Sequence, residues 1–206
     1  TAPTSVTVNY SSGQSDTRSI NAGQKESFNA CKDKGGAAMN SDGFNGSATI
    51  VSTVSDIVVI GKVGGGGRST AFLGETAGSA KLALPYIRWT RDVNFNAGTR
   101  QRSFIAVQNI GGSPVSGVVV KYLNKNGAVV GTQTLPTINS GDKKNSNAST
   151  ATLASGFTQI ALDEFGTPDG NPGGGFGGAV IVEGPSGSQL VAAVRVSSKL
   201  GSTTVA

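Results

Sequence analysis

The chain has 206 residues, 31 of them glycine, a net charge of +5, 14% charged residues and no histidine. Charge this sparse and this scattered argues against nucleic-acid binding. The lack of histidine removes the commonest general base and metal ligand. A single cysteine, Cys31, excludes an internal disulfide and a thiolate zinc site within one chain. No enzyme is expected. Glycine, serine, threonine, asparagine and valine dominate, and long Ala/Leu/Glu/Lys stretches are absent, as in a turn-rich all-β protein.

Residues 5–10 alternate Val6, Val8 and Tyr10, the pattern of a half-buried strand. Residues 17–20 read as a second strand and 27–29 as the start of a third; 30–42 are polar and irregular. Residues 44–53 form a strong strand. The nearly continuous apolar run 57–63 predicts a strand covered on both faces. Gly64 to Gly67 then predicts a loop. Gly64-Gly-Gly-Gly-Arg-Ser-Thr70 lacks the lysine of a phosphate loop, and no helical pattern follows it. Residues 82–89 carry Pro85, which has no donor for a central ladder, so this strand belongs at an edge or holds a bulge. A polar connector, 90–99, follows, with Phe95 embedded in it.

The second half continues with strands at 104–109, 118–123 and 129–135. The last two are joined by Asn124-Lys-Asn-Gly127, a strong hairpin signal. Residues 157–162 read as a strand, 163–175 as a Gly/Pro loop, and 179–183 with 190–196 as a hairpin. Short strands separated by turn signals predict two tandem Ig-like β-sandwich domains, 1–89 and 90–206.

Four blocks occur twice in the same order. Val6-Thr-Val-Asn-Tyr10 returns as Val118-Val-Val-Lys-Tyr122, and Ile20-Asn-Ala-Gly23 as Ile138-Asn-Ser-Gly141. Gly43-Phe-Asn-Gly-Ser-Ala-Thr-Ile-Val51 returns as Gly175-Phe-Gly-Gly-Ala-Val-Ile-Val182. Asp56-Ile-Val-Val-Ile-Gly-Lys-Val63 returns as Gln189-Leu-Val-Ala-Ala-Val-Arg-Val196. The repetition predicts two copies of one β unit. Copy two has a strand ahead of its Val118 block, Phe104-Ile-Ala-Val-Gln-Asn109, which copy one lacks.

The Val-Gln-Asn strand end, the Val-x-Val-x-Tyr strand, Gly-Phe-x-Gly-Ser-Ala and the final apolar strand resemble the tandem β-sandwich repeats of secreted and cell-surface bacterial proteins. Leu84-Pro85-Tyr86 and Trp89 fit the same pattern. The resemblance implies a sandwich fold and surface exposure, and transfers no catalytic residue.

The chemical candidates are few. Asp163, Glu164, Asp169 and Asn171 offer oxygen ligands for calcium, against the simpler reading of a solvated turn-rich loop. Arg88, Trp89, Arg91 and Phe95, with Arg100 and Arg102, form a candidate ligand patch; the simpler reading is arginine lying on aromatic faces at a contact. Asn9, Asn45 and Asn147 match the N-glycosylation acceptor pattern. Tyr10 and Tyr122 read as half-buried strand residues. No apolar run suits membrane insertion.

A sheet lacking a strand exposes an edge, expected here beside Val6, Val8 and Tyr10. The sequence thus predicts an exported, extracellular structural subunit that pairs with copies of itself by strand complementation, as in a filament, pilus or surface layer. The donor is expected in residues 1–10 or in residues 198–206, which include Leu200 and Val205. The alternatives are a monomeric module in which local segments such as Ala71 to Leu73 fill the gap, and an adhesive module binding surface glycans.

Overall fold

The computed structural model describes residues 3–54, 57–65, 68–96, 100–167, 177–200 and 203–205. The fold is all-β, built from antiparallel sheets. β1 (Thr4–Tyr10) forms a hairpin with β2 (Ser15–Ile20), and β3 (Ala48–Ser52) pairs with the other side of β1. β1 is therefore the central strand of a three-stranded sheet, β2-β1-β3. This corrects the expectation of an open edge beside Val6 to Tyr10. Both ladders of β1 are filled, and the three residues are buried (3%, 5% and 8% exposed) as the pleat alternation requires.

Residues 27–29 do not start a strand; of the three only Asn29 takes part in an isolated bridge, with Lys32, which in turn bridges Ala38. β4 (Ile60–Gly65) and β5 (Arg68–Leu73) form a separate two-stranded sheet. Gly64 and Gly65 thus continue a strand where a loop was expected, while Gly66 and Gly67 lie outside the described residues. The coverage expected on both faces of 57–63 is missing among the described residues: Val58 is 83% exposed and Ile60 63%.

The rest of the chain packs as two sheets around one core. β7 (Gln101–Asn109), β10 (Lys143–Ser146), β13 (Leu190–Leu200) and β14 (Thr203–Val205) form one sheet, in the order β10-β7-β13-β14. β6 (Lys81–Ile87), β8 (Val119–Leu123), β9 (Val129–Thr134), β11 (Thr152–Leu153) and β12 (Gly178–Glu183) form the other, in the order β11-β9-β8-β12-β6. Ile105 and Val107 of the first meet Val120, Tyr122, Val180 and Val182 of the second, all essentially inaccessible to water. Burial of each such side chain stabilises by about 1.5–3 kcal/mol.

β6 is an edge strand, and its pairing with β12 shifts register between Gly178 and Val180, opposite the stretch holding Pro85. The proline has the effect its missing donor predicts. The sheet to which β6 belongs is that of the second half, although the sequence reading placed 82–89 in the first domain. The connector 90–99 contains α1 (Asp92–Asn96). The strand expected over 157–162 is instead the approach to α2 (Ile160–Asp163). Its apolar residues Phe157, Ala161, Leu162 and Phe165 recur at helical spacing, and Ala161, Leu162 and Phe165 are buried.

Candidate functional site

The two units share a register as well as a sequence. In the first, Tyr10 faces Ala48 and Val8 faces Ile50; in the second, Tyr122 faces Val180 and Val120 faces Val182. Their hairpins also match, Val8 opposite Asp16 and Val120 opposite Gln133. β2-β1-β3 therefore repeats β9-β8-β12, and β4 repeats β13. In the second unit β12 is flanked by β6 and β13 by β7; among the described residues the first unit has neither partner.

The consequence is apolar exposure. Val51, Val54, Val58, Ile60, Val63, Phe72 and Leu73 are all largely exposed. In the β4–β5 hairpin Ile60 pairs with Leu73 and Gly61 with Phe72. One face therefore carries Val63 and Phe72, and the other Val58, Ile60 and Leu73. The Phe72 ring covers Gly61 closely enough that a Cβ there would fall 2.5 Å from it. An isolated two-stranded hairpin with two apolar faces is a weak structure awaiting cover.

The opposite edge of the first sheet is guarded. Asp16 and Arg18 of β2 point inward, opposite Val8 and Val6, and are 9% and 8% exposed. Arg18 donates to Asp16 (Nε–Oδ2 2.9 Å), to Glu26 (Nη1–Oε1 2.9 Å) and to the Ser27 carbonyl, and lies 4.7 Å from the Phe28 ring centroid. Inward charge on an edge strand discourages pairing with another chain. Sequence reading missed this cluster. Its signal was two charges at the inward positions of a strand, where the second unit has Gln133 and Leu135.

The N-terminal donor residues Val6, Val8 and Tyr10 are core. Tyr10 meets Phe44 edge-on at 5.7 Å, and its phenol pKa is raised by burial and by the Asp16 carboxylate. The C-terminal segment pairs back on its own sheet, Ser198 with Val205 and Leu200 with Thr203. The side chains of Leu200 and Val205 lie outside the described residues.

The arginine–aromatic patch closes on itself. Arg102 lies 4.6 Å from the Trp89 ring and 4.4 Å from Phe95, and donates to Thr90 O and Asp92. Trp89 also meets Phe104 edge-on at 5.8 Å. Arg88 is 6% exposed, 5.1 Å from the Tyr86 ring. Arg91 pairs with Glu164 at 3.3 Å, and Asn94 donates to the same carboxylate oxygen. That carboxylate, buried at 4% exposure, serves these partners. Asp163 accepts from Gln159 at 3.0 Å. Asp169 and Asn171 lie outside the described residues. No group of three or more His, Cys, Asp or Glu suited to a metal occurs among the described residues.

Asn9 is exposed on the outer face of β1. Asn45 is exposed and accepts from Lys143 Nζ at 2.8 Å; burial lowers the pKa of that lysine. Asn147 caps the 3-10 turn Ala148–Thr150, its Oδ1 accepting from Ser149 N. The units touch through Ser47, which donates to Gly141 O, and through Gln108, which donates to Ala48 O at 3.5 Å.

No helix among the described residues is long and apolar enough to cross a membrane. No family model matches the chain, and neither a curated protein nor a solved structure matches it.

Proposed function

We propose that the chain is a structural subunit of an extracellular filament or surface layer, joined to its neighbours by β-strand complementation. One observation carries this reading. The first unit keeps the register of the second, yet among the described residues nothing covers either face of the apolar hairpin β4–β5. Soluble monomers rarely present clustered apolar surface without a partner. Low charge and abundant Ser, Thr and Asn suit a packed polymer. The adhesive or sugar-binding alternative needs an exposed aromatic platform, whereas Trp89 and Phe95 are engaged by Arg102.

Electron microscopy and sedimentation of the full chain beside the double variant Val58→Lys, Ile60→Lys test the reading. Both side chains are mostly exposed, so the substitutions leave folding intact. The parent assembles with concentration and the variant does not. Dispersed monomers of the parent at every concentration would overturn the proposal.

A further inference from the structure

From the two hairpins, we infer that the free edge of β4 is an acceptor for one antiparallel strand of a second polypeptide. That strand carries the pattern of β7, with an aromatic residue opposite Lys62. The inference rests on strand complementation and specifies its edge, register and donor chemistry.

The backbone supports it independently of the apolar side chains. Gly74 N–H donates to Val59 O at 3.0 Å. Strand groups alternate sides, so Val59, Gly61 and Val63 face β5, while Ile60 and Lys62 turn their N–H and C=O to the open edge. In the second unit Ile110 N–H donates to Gln189 O at 2.9 Å. By the same alternation Val191, Ala193 and Arg195 face β7, and Ala193 and Arg195 pair with Ala106 and Phe104. The repeat equates Ile60 with Ala193 and Lys62 with Arg195. The groups left open on β4 thus correspond to those that β13 uses to hold β7.

The donor's side chains follow from the same ladder. Ile105 and Val107 of β7 sit opposite Val194 and Ala192, which correspond to Gly61 and Val59. On the other face Arg195 lies 5.4 Å from the Phe104 ring. Lys62 keeps a cation at that position, so an aromatic donor residue gains the same attraction. In the first sheet the β2 edge is closed by Asp16 and Arg18; β3 also lacks a partner among the described residues, but β4 is the edge whose outward groups match those that hold β7.

The test uses a fluorescent peptide with the β7 sequence Gln-Arg-Ser-Phe-Ile-Ala-Val-Gln-Asn, titrated into the full chain. Saturable binding is expected, with hydrogen-exchange protection at the Ile60 and Lys62 amides. A peptide with the phenylalanine replaced by alanine binds at least tenfold more weakly, and a scrambled peptide does not bind. Lys62→Pro removes only an outward-facing donor, so it abolishes binding while β4 keeps its bonds to β5; Lys62→Ala keeps the donor but loses the cation, so it weakens binding about as much as the phenylalanine-to-alanine peptide does without abolishing it. Absence of binding, equal binding of the scrambled peptide, protection at β3 or β14 instead, or a symmetric dimer pairing β4 with β4 would each overturn the inference. Peptide binding without filaments supports this inference and overturns the polymer reading. Filaments from a chain that ignores the peptide do the reverse.

Discussion

Tyr10 and Tyr122 hold the same place in two central strands, Tyr10 facing Ala48 and Tyr122 facing Val180. Their surroundings differ. Tyr122 is fully buried, shares a 2.6 Å hydrogen bond with Ser146 Oγ and meets Phe165 edge-on at 5.5 Å. Tyr122→Phe removes that hydrogen bond and leaves the ring packing in place. The expected loss is about 0.5–1.5 kcal/mol, read from urea unfolding.

The same tyrosine sets an alkaline limit. Burial raises the Tyr122 phenol well above its ordinary pKa of 10.0. The native state therefore holds this proton after the unfolded chain has released it. Its contribution to stability is full below about pH 10 and is lost as pH rises toward the folded value. Stability measured between pH 9 and about pH 11 should fall, and more gently in Tyr122→Phe.

The Asp16–Arg18 pair offers a test of replacement against deletion. Either Arg18→Ala or Asp16→Ala leaves the other charge buried, at an expected cost of about 3–5 kcal/mol. The double variant Asp16→Gln, Arg18→Leu installs the residues of the second unit and should recover most of that loss. Hydrogen exchange in β1 and β2 reports on this sheet directly. A double variant as unstable as the singles would show that the two inner faces are not equivalent.

Much of this architecture was legible because it is local. The alternation of Val6, Val8 and Tyr10, the Asn124 to Gly127 turn and the edge position implied by Pro85 each depend on a few neighbouring residues. Gly127 takes φ of 80°, as that hairpin requires. The partner strand that the first unit lacks among the described residues was legible from the repeat, but its location was not. Which side of β1 is filled depends on β3, nearly forty residues on, and no local periodicity encodes that choice. The pairing of β6 with β12 is equally non-local. Residues 157–162 misled because a short apolar run fits strand and helix alike.

Arg102→Ala removes the cation from the Trp89 and Phe95 rings together with the bonds to Thr90 and Asp92. A loss of about 2 kcal/mol is expected, with a change in Trp89 fluorescence. Arg102→Lys should not restore it, because one ammonium cannot keep the planar guanidinium's contacts with both rings and both acceptors.

Acid should weaken both units through ion pairs. The Arg18 guanidinium lowers the pKa of Glu26, and Lys121 followed by Lys81 lowers that of Glu183, each from an ordinary 4.5. A lowered carboxylate pKa contributes stability that is present above the unfolded value and lost as pH falls through the folded one. Glu183→Gln should flatten that loss below pH about 4.5, and added salt should shrink the difference between parent and variant.

The β4–β5 hairpin is apolar on both faces, and this governs how faithfully it can pair. A strand with one greasy side rejects a one-residue slip, because the slip turns its oily residues to water. Here Val63 and Phe72 on one side and Val58, Ile60 and Leu73 on the other make the slipped and unslipped arrangements similar in hydrophobic content. Proofreading must come from the backbone bonds and the charge of Lys62. Concentrated stocks held in high salt, where that charge is screened, should accumulate misaligned aggregates, whereas low-salt preparations should stay uniform.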